Sequence, residues 1–203
     1  KLIGLDAGCG DGINIGVLNG ALRGLAQDCH VVAIDRWESR ITKASSFAVP
    51  ALSGDVTRLP LRESSIDVML LSHVLEHVPD AAGVLSEANR VVRPGGCVVV
   101  AVPNEGCLLA QLRNRLLQRS ILETTDHVHF FTMRSLIREI ERNDGYRILW
   151  TGREGFFVPH LRILSSLRDR SVGRGLLRLL AHLIPSQSSG LAVALEVIDD
   201  SCM

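Results

Sequence analysis

The sequence predicts an α/β fold, doubly wound about a mostly parallel sheet. Three observations carry that expectation. Short β-rich runs alternate with helical patterns across short connections. "IDVMLLSH" (66–73) is almost continuously apolar, as a strand covered on both faces reads. The glycine-rich "GCGDG" (8–12) separates the first strand from the first helix.

The elements follow in order. "LIGLDA" (2–7) reads as a buried strand and residues 13–25 as a helix. "HVVAID" (30–35) is a second strand, and "WESRITKA" (37–44) continues as helix. "AVPALSGD" (48–55) is a short third strand weakened by Pro50, which has no N–H for a ladder. After the fourth strand (66–73), "AAGVLSEANRVV" (81–92) has helical period. "PGG" (94–96) then turns the chain into "CVVVAVP" (97–103). In the second half, 107–118 and 134–143 are amphipathic helices and "YRILWTG" (146–152) is a strand. A basic helical stretch covers 161–184, and "LAVALEVID" (191–199) is a seventh strand. We divide one domain, 1–203, into a ligand-binding half (2–105), helical insertions (106–190) and the final strand (191–199).

Composition narrows the class. The chain has 203 residues, enough to bury roughly 70% of its unfolded surface in one core. Formal net charge is zero, so no global field draws it to nucleic acid or membrane. The five cysteines (Cys9, Cys29, Cys97, Cys107, Cys202) are scattered and form no CxxC pair. That argues against both a disulfide framework and a zinc site, and it favours a reducing, cytoplasmic setting. No apolar run approaches 18 residues. The chain opens without methionine and almost directly on a strand, so a further N-terminal piece is expected. Twenty arginines against two lysines read as genomic composition bias.

Gly8, Gly10 and Gly12 follow a carboxylate, Asp6, at the carboxyl edge of the sheet, where open α/β folds bind ligands. Glycine there permits positive φ and lets a ligand approach the main chain. Asp35 ends the second strand, where a carboxylate can accept both hydroxyls of a ribose. "GDVTRLP" (54–60) follows the third strand and places Asp55 to accept from an adenine amino group. With "IDVMLLSHVLEHVPD" (66–80) and "VVRPGGCVVVAVPNE" (91–105), residues 2–105 resemble the class I S-adenosylmethionine-dependent methyltransferases. The likeness is to the branch of quinone-biosynthesis and other small-molecule enzymes.

The resemblance implies a seven-stranded Rossmann-like sheet with an antiparallel last strand, and S-adenosyl-L-methionine as cofactor. By position, Asp6 and the backbone of Ala7, Gly8, Cys9 and Gly10 would hold the methionine part, with Gly12 completing the loop. Asp35 would bind the ribose, with Arg36 and Trp37 beside the adenine. Asp55 and the Val56 amide would read the adenine edge, and Ser72 and His73 would border the sulfonium. Asp67 is expected to start the fourth strand structurally, and Asp11 to cap the first helix. Glu76 is expected to order its surroundings.

Methyl transfer needs alignment first and a base only if the acceptor must lose a proton. His73, His127 and His129 are the candidate catalytic groups. His77, in the same "SHVLEHV" segment as His73, is split evenly between a structural and a functional role. In "TTDHVHFFT" (124–132), alternation puts His127 and His129 on one face if the segment is extended. The sequence offers that pair no third ligand, so no metal is expected. Phe130, Phe131 and Trp150 read as core.

Residues 108–182 hold 13 arginines against seven acidic residues. Within 160–185, Arg162, Arg168, Arg170, Arg174 and Arg178 interleave with leucines at helical spacing. That pattern fits amphipathic helices over the site mouth, or a lid meeting an anionic or lipid-bearing acceptor at a membrane surface. An NAD-dependent dehydrogenase is disfavoured, because its third glycine falls one residue later. A nucleic-acid substrate is not expected, because "SHVLEH" lacks the (D/N)PPY loop that holds a flipped base. A non-catalytic S-adenosylmethionine-binding subunit stays open as an alternative.

Overall fold

In the computed structural model, residues 1–112, 114, 126–156 and 171–199 are described. The strands are β1 (Leu2–Ala7), β2 (Cys29–Asp35), β3 (Ala51–Ser53), β4 (Ile66–Ser72), β5 (Val92–Pro103), β6 (Tyr146–Glu154) and β7 (Gly190–Val197). The helices are α1 (Ile15–Leu25), α2 (Glu38–Ala44), α3 (Ala81–Val91), α4 (Leu108–Leu112), α5 (Met133–Ile140) and α6 (Ser171–Leu183). One seven-stranded sheet has the order β3-β2-β1-β4-β5-β7-β6. All neighbours run parallel except β7, which is antiparallel to both β5 and β6. This is the mixed sheet that the sequence and its resemblance led us to expect.

The helices divide between the two faces. Ile15, Leu18 and Leu22 of α1 bury against Val31 and Ala33 of β2 and Ala44 of α2. On the opposite face, Val84, Leu85 and Ala88 of α3 and Leu136 and Ile140 of α5 pack with Leu5, Met69, Leu71, Val98 and Val100. Caps fix where these helices begin. The Asp80 carboxylate accepts from the Gly83 N–H (2.8 Å), and Thr132 with Ser135 forms a capping box at α5. Asp67 is structural as expected: it accepts from the Ile3 N–H (2.5 Å) and pairs with Arg93 (2.7 Å), joining the starts of β1 and β4.

Several local expectations are corrected. β3 is only three residues long, because its ladder begins after Pro50. The "PGG" segment does not separate from the fifth strand. β5 runs from Val92, and the irregularity is absorbed as a register shift opposite Ile66–Val68, with Gly95 at φ +74°. Asp11 does not cap α1: Asn14 holds that position, and Asp11 pairs with Lys43 (2.8 Å) instead. Phe131 is buried, but Phe130 and Trp150 are exposed, the latter because β6 is an edge strand. The expected helix at 107–118 is described only through Leu112 and at Asn114, and Arg162, Arg168 and Arg170 lie outside the described residues. No described helix is long and apolar enough to cross a membrane.

Leu85 is fully buried between α3 and the sheet, whereas Leu176 of α6 is exposed. Leu85→Ala is expected to lower unfolding free energy by about 2–5 kcal/mol. Leu176→Ala should stay within about 0.5 kcal/mol of the parent in the same chemical denaturation.

Candidate active site

The chain leaves β1 toward β2 and β3 on one side of the sheet, then returns to β4 on the other. β1 and β4 therefore flank the switch point where ligands lodge beyond the strand ends. Asp6, Asp35 and His73 sit at the carboxyl ends of β1, β2 and β4.

The glycine loop is tied down from β2. The N–H groups of Gly8 and Cys9 both donate to the Ile34 carbonyl (2.7 and 3.0 Å). Asp35, nearly fully buried, accepts from the Gly10 N–H through Oδ2 (2.8 Å) and from the Trp37 N–H through Oδ1 (2.9 Å). One carboxylate thus holds both the loop and the entry to α2. Gly8, Gly10 and Gly12 all have positive φ (+74°, +54° and +89°), but their surroundings differ. A Cβ on Gly12 would strike the Phe47 ring at 2.8 Å, so that glycine serves packing. A Cβ on Gly10 would meet only Arg40 Nη1, at 3.7 Å, so open space lies over its backbone.

Asp6 is fully buried, and neither of its carboxylate oxygens has a hydrogen-bond partner. Burial, then the nearby Asp35 charge, pushes its pKa up from 3.8 to about 6. A cavity of about 430 Å³ opens beside it, within the range of small-molecule sites. Gly8, Asp35, Arg36, Trp37, Asp55, Val56 and His73, among the candidate residues, line it. Asp6, Ala7, Cys9, Gly10, Gly12 and Ser72 do not line it. Within the cavity the Arg36 guanidinium lies over the half-exposed Trp37 ring, 4.7 Å from its centroid. Asp55 accepts from the N–H (2.8 Å) and hydroxyl (2.7 Å) of Thr57, which hold its carboxyl below the usual range.

His73 is one of three non-glycine residues with positive φ among those described (+56°), a conformation favoured at functional turns. Its Nδ1 lies 3.0 Å from Oε1 of the buried Glu76, and that hydrogen bond is the main cause of its raised pKa. The Glu76 carbonyl accepts from the N–H groups of Val128 (2.8 Å) and His129 (3.2 Å), which seats residues 126–131 against the β4–α3 turn. Burial alternates along that segment, with His127, His129 and Phe131 inward, as the extended reading expects. His127 Nδ1 lies 2.7 Å from Glu105 Oε2, and its ring meets His77 edge-on at 4.6 Å between centroids. His129 Nε2 donates to the Pro79 carbonyl (3.2 Å). Neither His127 nor His129 lines the cavity, while His77 and Asp126 do.

Sequence reasoning missed Arg40, Glu105 and Asp126. Arg40 lies in the first turn of α2, just beyond Asp35, Arg36 and Trp37, and that proximity in sequence could have found it. Glu105 and Asp126 carry no local signal.

The methyltransferase-domain family matches residues 5–100. A probable S-adenosylmethionine-dependent methyltransferase of Mycolicibacterium smegmatis is 34% identical over 102 residues, covering 49% of this chain and 37% of that protein. A demethylmenaquinone methyltransferase of Mycobacterium sp. (strain KMS) is 46% identical over 69 residues, covering 34% and 30%. The chain thus spans about a third of the length of the curated relatives it matches. In structure, the domain is similar to an S-adenosylmethionine-dependent methyltransferase from Mesorhizobium loti (TM-score 0.66, 17% identity, 97% of this chain and 91% of that one). It is also similar to an arsenic(III) methyltransferase from Chlamydomonas reinhardtii (TM-score 0.62, 19% identity, 98% and 64%). The matched family implies S-adenosylmethionine as cofactor, and the partnerless Asp6 carboxylate and open Gly10 backbone fit that group.

The Asp6 values set a pH signature without any ligand. Its folded pKa lies above 3.8, so the folded state holds the proton more tightly than the unfolded one. Stability from this group is therefore present below about pH 4 and lost as pH rises to about 6. The loss is on the order of 2–3 kcal/mol. Chemical denaturation of the ligand-free protein should show this decline, and the folded Asp6→Asn variant should not.

Proposed function

We propose that this chain transfers the methyl group of S-adenosylmethionine to a small-molecule acceptor. The observation that carries the reading is the buried, partnerless carboxylate of Asp6 beside a backbone loop held open at Gly10. A carboxylate in that setting is costly unless a cation answers it, and the amino group of the methionine moiety is such a cation. Asp35 keeps lone pairs beyond those taken by Gly10 and Trp37, and they suit the two ribose hydroxyls. Trp37 and Arg36 offer a flat, polarisable wall for the adenine, with Asp55 and Val56 at its edge.

When bound, the cofactor supplies a methyl group already activated on a cationic sulfur. The chain's own work is to bind, orient and exclude water. For an acceptor that must lose a proton, we assign His73, which lines the cavity, in place of His127 or His129. Glu76 orients its ring, and the raised pKa makes it a stronger base. The demethylmenaquinone methyltransferase relative and the exposed Leu176, Leu179 and Leu183 of α6 support an acceptor with a lipid tail.

The test has two stages. Calorimetry with S-adenosylmethionine should show binding that Asp35→Ala weakens at least about tenfold, since each charge-assisted hydrogen bond is worth about 1.5–3 kcal/mol. Gly10→Val should do the same by filling the open space. Affinity should also fall as pH drops through about 6, where Asp6 takes up its proton. A mass-based screen of water-soluble against lipid-tailed acceptors then identifies the substrate. His73→Ala should abolish turnover of a hydroxyl acceptor while cofactor affinity holds. Unchanged cofactor affinity in the folded Asp35 and Gly10 variants would sink the cofactor assignment.

A further inference from the structure

Glu76 is fully buried on the turn after β4. Its Oε1 is engaged by His73, but its Oε2 has no partner. A carboxylate oxygen out of water and without a partner is costly, so the position suits a cation. Two imidazoles stand beside it. One ligand atom each from Glu76, His77 and His127 lie within 4.8 Å of one another. His77 is the next residue along the turn, whose backbone N–H donates to the Val74 carbonyl (3.0 Å). His127 arrives from a distant segment, which the Glu76 carbonyl itself docks through Val128 and His129.

One of these imidazoles is also held in place from behind. His127 Nδ1 is taken by Glu105 Oε2 at 2.7 Å, with both side chains largely buried. That contact fixes the ring and leaves Nε2 as the nitrogen available for a ligand. A carboxylate on the far nitrogen of a histidine is the arrangement that orients and strengthens metal-bound imidazoles.

We propose that Glu76, His77 and His127 form a site for one divalent transition-metal cation of the Zn²⁺ type. Two nitrogens and one oxygen suit Zn²⁺ and its neighbours, whereas Mg²⁺ and Ca²⁺ prefer oxygen alone. Zn–N distances of about 2.0–2.1 Å place tetrahedral ligands roughly 3.4 Å apart. Loading therefore draws the three side chains together and clamps residues 126–131 onto the β4–α3 turn. Three protein ligands leave a fourth position for water or another oxygen donor. His77 lines the cavity, so that position faces the acceptor side. Only this last step, an acceptor oxygen on the cation, rests on the proposed methyl transfer; the cation site stands without it.

The test uses the full chain, stripped with chelator and free of S-adenosylmethionine. Titration with Co²⁺, read by its visible absorption, should show one saturable site that Zn²⁺ displaces, and Zn²⁺ should raise Tm. His77→Ala and His127→Ala should each weaken Co²⁺ binding at least about tenfold, and Glu105→Gln by about 10–100-fold. His30→Ala, whose ring pairs with Asp28 at the start of β2, should leave it unchanged. If His127→Ala fails to fold, His127→Gln and the isosteric Glu76→Gln give the same reading. No saturable Co²⁺ binding by the parent chain overturns the site, as does equal affinity in the folded cluster variants. Calorimetric binding of S-adenosylmethionine by the same metal-free protein separates failure of this site from failure of the methyltransferase reading.

Discussion

The constraint on which the rest depends is negative charge held out of water at the switch point of the sheet. β1 and β2 are adjacent and parallel, and each carries an aspartate at or one residue before its end. Asp35 is stabilised by two backbone N–H groups, whereas Asp6 has no hydrogen-bond partner. The asymmetry is what makes a binding site. Asp35 spends part of its hydrogen-bonding capacity shaping the glycine loop, so the loop is preformed around a carboxylate. Asp6 keeps its whole capacity for something that arrives from outside. A fold selected for stability alone would not keep such a group, which points to function.

The same logic recurs on the other side of the cavity. Glu76 is a second buried carboxylate with one oxygen engaged and one without a partner. It acts three ways at once. Oε1 orients His73, the backbone carbonyl docks residues 126–131, and a carboxylate oxygen lies within 4.8 Å of ring nitrogens of His77 and His127. The strained His73 backbone persists because its N–H is held by Ala101 (2.8 Å) and its ring by Glu76. Two buried carboxylates thus keep oxygens without a partner, one near the end of β1 and one on the turn after β4.

How much of this was legible in the sequence follows from the range of each interaction. The strands and the glycine loop were legible because apolar runs and glycine spacing are local signals. The roles within the loop were only partly so. Gly12 reads like Gly10, yet a ring 35 residues away, Phe47, is what requires it. Asp11 looked like a cap because an acid before a helix often is one, but Lys43 competed successfully for it. Trp150 looked like core because aromatic residues bury; strand order put it on an edge, and order is not a local property. The grouping of Glu76, His77, Glu105 and His127 was out of reach for the same reason. His127 is 50 residues from His77 and 22 from Glu105, and only the docking of one extended segment brings them together.

The family match ends at residue 100, just before the segments that supply Glu105, Asp126 and His127. Every group suited to the cofactor lies within the matched part, on strand ends and the turns that follow them. The acceptor side combines the end of the matched part, His73 to His77, with residues that follow it. A sheet edge of this kind can keep one cofactor grip while later segments change what is placed opposite it. That division explains why sequence likeness carries to the cofactor and stops short of the acceptor. Under the proposed methyl transfer, we assign acceptor choice to how residues 126–131 seat on Glu76.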